Sequence, residues 1–307
     1  MPVIQVENLH KTYGSLVAVD DISFDVQEGE IFGMVGPNGA GKTTTIECIE
    51  GLRRPNGGSV RTLGLNPRTE GYELRERIGV QLQQSELWER IRVWEALDLY
   101  ASFYRHPADW HTLIEQLGLT DKSDAYFDKL SGGQKQRLSI ALALINDPEL
   151  VFLDELTTGL DPRARRMMWE LVRDIRDKGK TVFLTTHYME EAEWLCDRVA
   201  VVDKGRVIAV DSPENLIRNI GMDSQIIFSA DPTFDLNILR GLNGVSRVER
   251  SGEGVVVHGQ GEMLAGDVVS ILTTSGVRFR NLRTEQTTLE DVFLTLTGRG
   301  MQEGEEA

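Results

Sequence analysis

The chain has 307 residues and a formal net charge of −15 at pH 7, with 26% charged and 40% hydrophobic residues. This length supports one large domain and a smaller one, each with its own core. The composition excludes a disordered or collagen-like chain. The acidic charge disfavours a protein that wraps the phosphate backbone of DNA or RNA. We therefore expect no nucleic-acid partner.

The cysteines and the apolar runs indicate the cellular compartment of the protein. Cys48 and Cys196 lie far apart without metal-ligand spacing, which predicts buried thiols in a reducing compartment rather than a zinc site or a disulfide framework. The longest apolar run, residues 138–145, is far shorter than the roughly 20 residues that a spanning helix needs. The first residues also lack the features of a signal peptide. These observations predict a cytoplasmic protein.

In chain order, the first third of the sequence alternates strand and turn signals. Alternation predicts short strands at 3–6 and 22–26, with turns at Gly14 and at 27–29. An apolar strand at 30–35 leads into a glycine-rich loop. The helix that follows, residues 42–50, is expected to end at Gly51, because glycine suits the left-handed position that terminates helices.

The spacing of hydrophobic residues changes in the middle of the chain and again near its end. Between residues 84 and 130, aromatic and aliphatic residues from Leu87 to Tyr104 recur at helical spacing, which predicts an inserted helical subdomain with a second helix near 109–117. The α/β pattern then returns, with strands at 150–153, 181–185 and 199–202 and a helix at 162–178.

A break near residue 220 predicts a small α+β appendage over 221–300, followed by an acidic tail at 301–307. Strand and helix signals within the appendage lie at 225–228, 254–258, 263–274 and 277–280. The sequence contains no internal repeat.

Residues 36–44 fit the pattern G-x-x-x-x-G-K-[ST] between a predicted strand and a predicted helix. The glycines let backbone N–H groups converge on anionic oxygens at a helix N-terminus. Lys42 is expected to reach the β- and γ-phosphates, and Thr43 to offer its hydroxyl to Mg²⁺. The predicted phosphate loop consists of Gly36, Pro37, Asn38, Gly39, Ala40, Gly41, Lys42, Thr43 and Thr44.

Two carboxylates follow the apolar strand at 150–153, where parallel α/β sheets bind ligands. Asp154 suits the Mg²⁺ shell, and Glu155 suits the polarisation of an attacking water. A second glycine-containing helix start follows Leu130, with Ser131 as a good N-cap. Because one phosphate loop needs no second anion site, this helix start is expected to serve a nucleotide held by another copy. It comprises Ser131, Gly132, Gly133 and Gln134.

These motifs together resemble the ATP-binding cassette (ABC) ATPase family, whose signature is LSGGQ followed by basic residues. The resemblance covers residues 3–220. It implies that Tyr13 stacks on adenine, that Gln83 senses Mg²⁺ and water, with Gln81 and Gln84 as neighbouring candidates, and that His187 contacts the γ-phosphate. Residues 159–161 resemble the loop that contacts the opposite subunit. The sequence departs from the family at Leu156, where proline is common.

The implied fold is an α/β P-loop NTPase with an antiparallel β-subdomain, the helical insertion and the α+β appendage. The nucleotide-binding domain would span residues 1–220. The resemblance implies ATP and Mg²⁺ as ligands, Glu155, His187 and Gln83 as catalytic residues, and Thr43, Gln83 and Asp154 at the metal. It also implies a head-to-tail homodimer that encloses two ATP molecules.

A transporter would need a separate permease, docked on the helical subdomain near Trp88 and Trp94. The end of the chain, residues 288–299, resembles drug-export ATPases of the daunorubicin/doxorubicin type and implies a place at the inner face of the cell membrane. Two alternatives stay open, namely a soluble ABC ATPase acting on ribosomes or DNA and a nucleotide-binding regulator that does not hydrolyse ATP.

Overall fold

The computed structural model describes residues 2–81, 87–221, 223–231, 234–252, 254–261, 263–285 and 287–298. The chain divides into two units, one of residues 1–213 with 296–307 and one of residues 214–295. The elements in chain order are β1 (Pro2–Tyr13), β2 (Leu16–Gln27), β3 (Ile31–Val35), α1 (Lys42–Ile49), β4 (Gly57–Thr62), α2 (Gly71–Arg77), β5 (Ile78–Gln81), α3 (Val93–Ala101), α4 (Trp110–Gln116), α5 (Gly132–Ala143), β6 (Leu150–Asp154), α6 (Pro162–Asp177), β7 (Thr181–Thr186), α7 (Met189–Leu195), β8 (Arg198–Asp203), β9 (Arg206–Asp211), α8 (Pro213–Asn219), β10 (Ser224–Ala230), α9 (Asn237–Arg240), β11 (Val245–Ser251), β12 (Gly254–Gly259), α10 (Leu264–Thr274), β13 (Phe279–Glu285) and α11 (Leu289–Thr297).

The first unit begins with an antiparallel sheet in the order β2-β1-β4. Strands β1 and β2 form a hairpin that turns at Gly14, whose φ of 60° favours glycine. The strands predicted at 3–6 and 22–26 are confirmed as the inner parts of these two longer strands.

The central sheet of this unit has six strands in the order β5-β6-β7-β3-β8-β9. All neighbours are parallel except β8 and β9. Every residue of β3, β6 and β7 is buried, as expected for parallel strands covered on both faces. The register pairs Val35 with Thr186 and Asp154 with Thr185, so the carboxyl ends of these three strands meet at one edge.

Aromatic rings join the two sheets in the core of the first unit. Phe24 of β2 stacks on Phe32 of β3, with ring centroids 5.3 Å apart, and Phe183 of β7 lies 5.6 Å from Phe32. These rings belong to a buried cluster with residues from both sheets and from α1. This packing fixes β3 and α1, and therefore the loop between them.

The helical insertion differs in part from the prediction. Helix α4 is confirmed, with Asp109 as its N-cap, but α3 begins only at Val93. The prediction of helical structure from Leu87 onwards is therefore wrong over residues 87–92. The backbone of Arg92 is extended and bridges to Tyr126, and the Val93 N–H donates to the Ala125 carbonyl, which sets the helix start.

The second unit contains a four-stranded antiparallel sheet in the order β11-β12-β10-β13. Its core combines strand residues such as Phe228 and Val255 with Val268 and Leu272 of α10. The predicted signals at 225–228, 254–258 and 263–274 are confirmed, and the strand predicted at 277–280 lies two residues later, in β13. The mostly polar strand β11 was missed.

Both cysteines are free and buried, as predicted. Among the helices of the described ranges, none combines the length and the apolar character needed to cross a membrane.

One buried acid marks the end of α1. Glu50 is only 4% exposed, and its Oε2 atom has no hydrogen-bond partner among the described residues. Burial, with smaller contributions from Asp154 and Glu47, raises the pKa of this carboxyl to about 9. Folded Glu50 therefore holds its proton at neutral pH, whereas unfolded Glu50 releases it.

We expect wild-type stability to fall, relative to Glu50→Gln, as pH rises from 5 to 9. The folded state binds the extra proton in this window, so the slope is at most about 1.4 kcal/mol per pH unit. Urea unfolding of both proteins at several pH values measures the difference. A stability difference that does not change with pH would contradict this assignment.

Candidate functional site

The predicted phosphate loop joins β3 to α1, as the sequence indicated. Gly41 caps α1 with a φ of 99°, and a Cβ atom there would lie 2.4 Å from the Ala18 carbonyl oxygen. A Cβ atom on Gly36 would lie 2.2 Å from the Val202 carbonyl oxygen. Only glycine therefore fits these two positions, and the backbone N–H groups of α1 remain available at its N-terminus.

Lys42 places a buried cation at the centre of this loop. Its side chain is 4% exposed, and Nζ donates to the carbonyl oxygens of Gly36 at 2.7 Å and Pro37 at 3.1 Å. Nζ also lies 4.0 Å from Glu155 Oε1. Burial lowers the pKa of Lys42, and the charges of Glu155 and Asp154 oppose that shift. The ammonium is thus held inside the loop that would receive phosphate.

Asp154 is the last residue of β6 and is 4% exposed. The Thr185 hydroxyl donates to its Oδ1 atom. Burial raises the pKa of Asp154, while hydrogen bonds from Thr185 and Thr43 and the charge of Lys42 lower it. The carboxylate and the Thr43 hydroxyl thus lie together, and such hard oxygen donors fit Mg²⁺. The importance of Thr185 was missed, because nothing distinguishes it within a buried strand.

Glu155 follows β6 in a strained backbone conformation. Its φ is +49°, although the left-handed region is uncommon for residues other than glycine. The Glu155 N–H donates to the Thr185 carbonyl at 3.1 Å, and the side chain is 7% exposed. Strain of this kind is typical of functional positions. The next residue, Leu156, is 2% exposed, so its side chain is buried where the family commonly has proline.

His187 follows β7 directly and completes the cluster. Its Nδ1 atom lies 3.5 Å from Glu155 Oε1 and makes no hydrogen bond among the described residues. The side chain is 21% exposed, so the ring is accessible in part. The structure therefore brings together three segments that lie far apart in the sequence, which contribute Lys42, the adjacent pair Asp154 and Glu155, and His187.

The predicted signature residues form a separate pocket. Ser131 caps α5: its hydroxyl accepts from the Gln134 N–H, and the Gln134 side chain accepts from the Ser131 N–H at 2.9 Å. The pocket, of about 230 Å³, is lined by Ser131, Gly132 and Gly133 together with residues 159–161. Asp161 in turn caps α6. The capped N-termini of α5 and α6 thus both border this pocket.

The remaining candidates that the structure describes, Tyr13 and Gln81, each lie at the end of a strand. Tyr13 ends β1 and is 40% exposed, and the Lys11 ammonium lies 5.0 Å from the centre of its ring. Such a half-exposed ring can accept a stacked base. Gln83 and Gln84 lie outside the described residues. The third candidate, Gln81, ends β5 and is 3% exposed.

Comparisons with known proteins agree with this geometry. The ABC transporter family profile matches residues 19–158. Along 309 residues, the chain is 39% identical to the Nod factor export ATP-binding protein I of Ralstonia nicotianae, covering 98% of this chain and 96% of that protein. The chain belongs to the ABC transporter ATP-binding proteins. The relative from Burkholderia lata bears the same name and is 40% identical over 312 residues, covering 99% of this chain and 100% of the relative.

Solved structures of ABC cassettes share the fold. An ATP-binding subunit of an ABC transporter matches with a TM-score of 0.64 and 28% identity, covering 71% of this chain and 93% of that one. A dimeric cassette in a post-hydrolysis state, bound to ADP and Pi, matches with a TM-score of 0.62 and 27% identity, covering 68% and 98% of the two chains. The expected P-loop ABC ATPase fold is therefore confirmed, and ATP binding follows from the family.

Replacement of Gly36 by alanine is expected to weaken nucleotide binding, because the added Cβ atom would collide with the Val202 carbonyl and displace the loop. Such overpacking costs about 1–3 kcal/mol, which corresponds to a loss of affinity of about 5- to 150-fold if the whole cost opposes nucleotide binding. Binding of a fluorescent ATP analogue measures the effect.

Gly71→Ala is the matched control, since the nearest atom to its added Cβ lies 3.9 Å away on a flexible arginine. An unchanged dissociation constant in Gly36→Ala would show that the loop does not bind nucleotide in this conformation.

Proposed function

We propose that this chain is the ATP-hydrolysing subunit of an ABC exporter, which drives a separate membrane permease through ATP-dependent closure of a homodimer. The observation that carries the proposal is the cluster of Lys42, Asp154, Glu155 and His187 at one sheet edge, beside a loop that admits phosphate. Membership of the ABC family supports the same reading.

The cluster suits hydrolysis of the β–γ phosphate bond. Lys42 would exchange its loop carbonyls for phosphate oxygens, which removes the cost of burying its charge. Thr43, Asp154 and Gln83 would hold Mg²⁺, whose charge neutralises the phosphate oxygens. Glu155 would accept a proton from the attacking water. His187, only 3.5 Å from Glu155, would contact the γ-phosphate and hold the phosphate and the Glu155 carboxylate in fixed relative positions.

The second pocket supports a composite site. Ser131, Gly132 and Gly133 line a cavity apart from the phosphate loop of their own chain. Together with Gln134 they would face the γ-phosphate bound by a partner copy. Tyr13 would stack on the adenine of its own nucleotide. Because the γ-phosphate adds contacts only in the closed dimer, ATP would favour closure and hydrolysis would favour opening.

A permease would dock on the helical insertion. A cavity of about 280 Å³ lies between this insertion and the central sheet, with Leu52, Tyr100 and Tyr104 in its lining. Trp88, within the insertion, is 75% exposed. The lining of the cavity is mostly apolar but includes Glu50 and Arg75, and its aromatic side chains are suited to contact with an apolar helix. The chain would then work at the inner face of the cell membrane.

Export is the proposed direction of transport. The two curated relatives are named as export ATP-binding proteins, and residues 288–299 resemble drug exporters of the daunorubicin/doxorubicin type. We retain a drug-export activity as part of the proposal, with the appendage serving regulation or dimer stability.

Purified wild-type protein should hydrolyse ATP, and Glu155→Gln should lower the rate by about 10²–10⁴-fold, the usual cost of losing a general base. Phosphate release measures turnover, and binding of an ATP analogue should be retained because the amide preserves the shape of the side chain. Full activity in Glu155→Gln would remove the proposed role of this residue.

Adding detergent-solubilised membranes from the source cell should alter wild-type turnover while Glu155→Gln stays inactive. A turnover rate that does not change when membranes are added would leave the proposed ATPase activity standing and would argue against a permease. Recovery of ribosomes rather than a membrane protein in a pull-down would favour a soluble ABC ATPase.

A further inference from the structure

A basic cavity lies at the carboxyl end of α1, away from the phosphate loop. It measures about 290 Å³ and is lined by residues from the end of α1, the start of β4 and the turn at 66–68, and by none of residues 36–44. Because α1 has eight residues, about 12 Å of helix separates this end from the phosphate loop. The cavity is therefore distinct from the proposed nucleotide site.

The lining of this cavity is strongly positive. It includes Arg53, Arg54, Arg61 and Arg68, and no aspartate or glutamate is among the described residues that line it. This concentration of positive charge stands out in a chain with 48 acidic and 33 basic residues. The guanidinium groups repel one another, and a bound anion would offset that repulsion. The charge of the cavity thus favours an anionic ligand.

Only part of this charge is neutralised within the protein. Arg53 pairs with Glu47, with its Nε atom 2.7 Å from Oε2, and Arg61 Nη1 donates to a backbone carbonyl at 3.3 Å. The side chains of Arg54 and Arg68 are exposed and make no ion pair or hydrogen bond with any residue that the structure describes. Two guanidinium groups are therefore free to bind a ligand.

The two asparagines in the lining also present donors. The Asn56 Oδ1 atom accepts from the Thr12 N–H at 2.9 Å, and the Asn66 Oδ1 atom accepts from the Arg68 N–H at 3.0 Å. Within the described part of the chain, their Nδ2 groups have no partner. The acceptor atoms of these amides are thus occupied, while their N–H groups stay available to an anion.

Two acids next to the cavity bond to neutral donors of its lining. Glu7 accepts from the Ser59 hydroxyl at 3.2 Å, and Glu70 accepts from the Asn66 N–H at 2.8 Å. Neither forms an ion pair with an arginine of the cavity in the described ranges. These carboxylates therefore leave the charges of Arg54 and Arg68 unpaired.

Close backbone contacts hold the walls of the cavity. Gly51 has a φ of 80°, and a Cβ atom there would lie 2.7 Å from the Pro67 carbonyl oxygen. Gly58 has a φ of 81°, and a Cβ atom there would lie 2.3 Å from the Asn8 carbonyl oxygen. The turn at 66–68 is thereby packed against the end of α1, so the cavity is formed before any ligand binds.

We infer that this cavity binds a phosphate group. The forked donors of arginine match the oxygens of phosphate, and the asparagine amides add neutral donors. Arg53 directly follows Leu52, which lines the cavity proposed for the permease. Under the proposed function the phosphate site would therefore lie beside the permease, where a phospholipid headgroup could supply the phosphate. That source rests on the proposed function, whereas the phosphate chemistry does not, and a soluble phosphate compound is the other source.

The double variant Arg54→Gln/Arg68→Gln tests the inference, because both side chains are exposed and lack partners, so the fold should persist. Wild type should bind inorganic pyrophosphate in calorimetry, with its nucleotide site first filled by a non-hydrolysable ATP analogue. In the double variant the dissociation constant should rise at least about tenfold, since it loses charge-assisted hydrogen bonds.

A second arm identifies the source of the phosphate. Wild type is sedimented with phosphatidylcholine vesicles prepared with and without phosphatidic acid. Binding that needs phosphatidic acid and is lost in the double variant supports the site and assigns it to a headgroup. Pyrophosphate binding that is lost in the double variant, with no binding to either vesicle, supports the site and assigns it to a soluble compound.

Arg278→Gln/Arg280→Gln is the matched control, since it removes the same charge from exposed positions in the second unit. It should bind both probes as wild type does. The inference is overturned if this control loses as much binding as the test variant, if the test variant binds both probes undiminished, or if wild type binds neither. ATP turnover should be equal in all three proteins, and a wild type without turnover would contradict the proposed function while leaving the phosphate site in place.

Discussion

The site depends on one buried cation held among the carboxyl ends of parallel strands. The Lys42 ammonium has two loop carbonyls and the Glu155 and Asp154 carboxylates as its surroundings. An unpaired charge at this depth would be strongly unfavourable, so the loop, β3 and β6 must keep their relative positions. The sheet register and the stacked phenylalanine core supply that constraint.

Backbone groups at helix N-termini also shape the second pocket. Two helices, α5 and α6, begin there with side-chain caps at Ser131 and Asp161. A capped helix start is a rigid, partly positive feature that favours the binding of an anion. Under the proposed function, one chain would carry two different halves of a nucleotide site, and this would be the physical reason for two copies to act together.

Much of this site could be predicted from the sequence, because glycine, lysine and capping residues carry their conformational preferences locally. Ser131 as an N-cap and Gly51 as a helix stop are examples. The left-handed backbone of Glu155 could not be predicted, since no local sequence signal favours it and its N–H donates to Thr185, a residue distant in sequence. The late start of α3 depends on the backbone bond to Ala125, a contact between segments distant in sequence.

The composite site is tested most directly by mixing two defective variants. Lys42→Ala removes the phosphate contact from the loop, and Ser131→Arg fills the pocket that would face the partner's nucleotide. Each protein alone should therefore lack ATPase activity. A mixed dimer would contain one intact site, made from the loop of one copy and the signature of the other. ATPase activity that appears only on mixing is the predicted result. A mixture as inactive as its components, or Ser131→Arg active alone, would contradict the account.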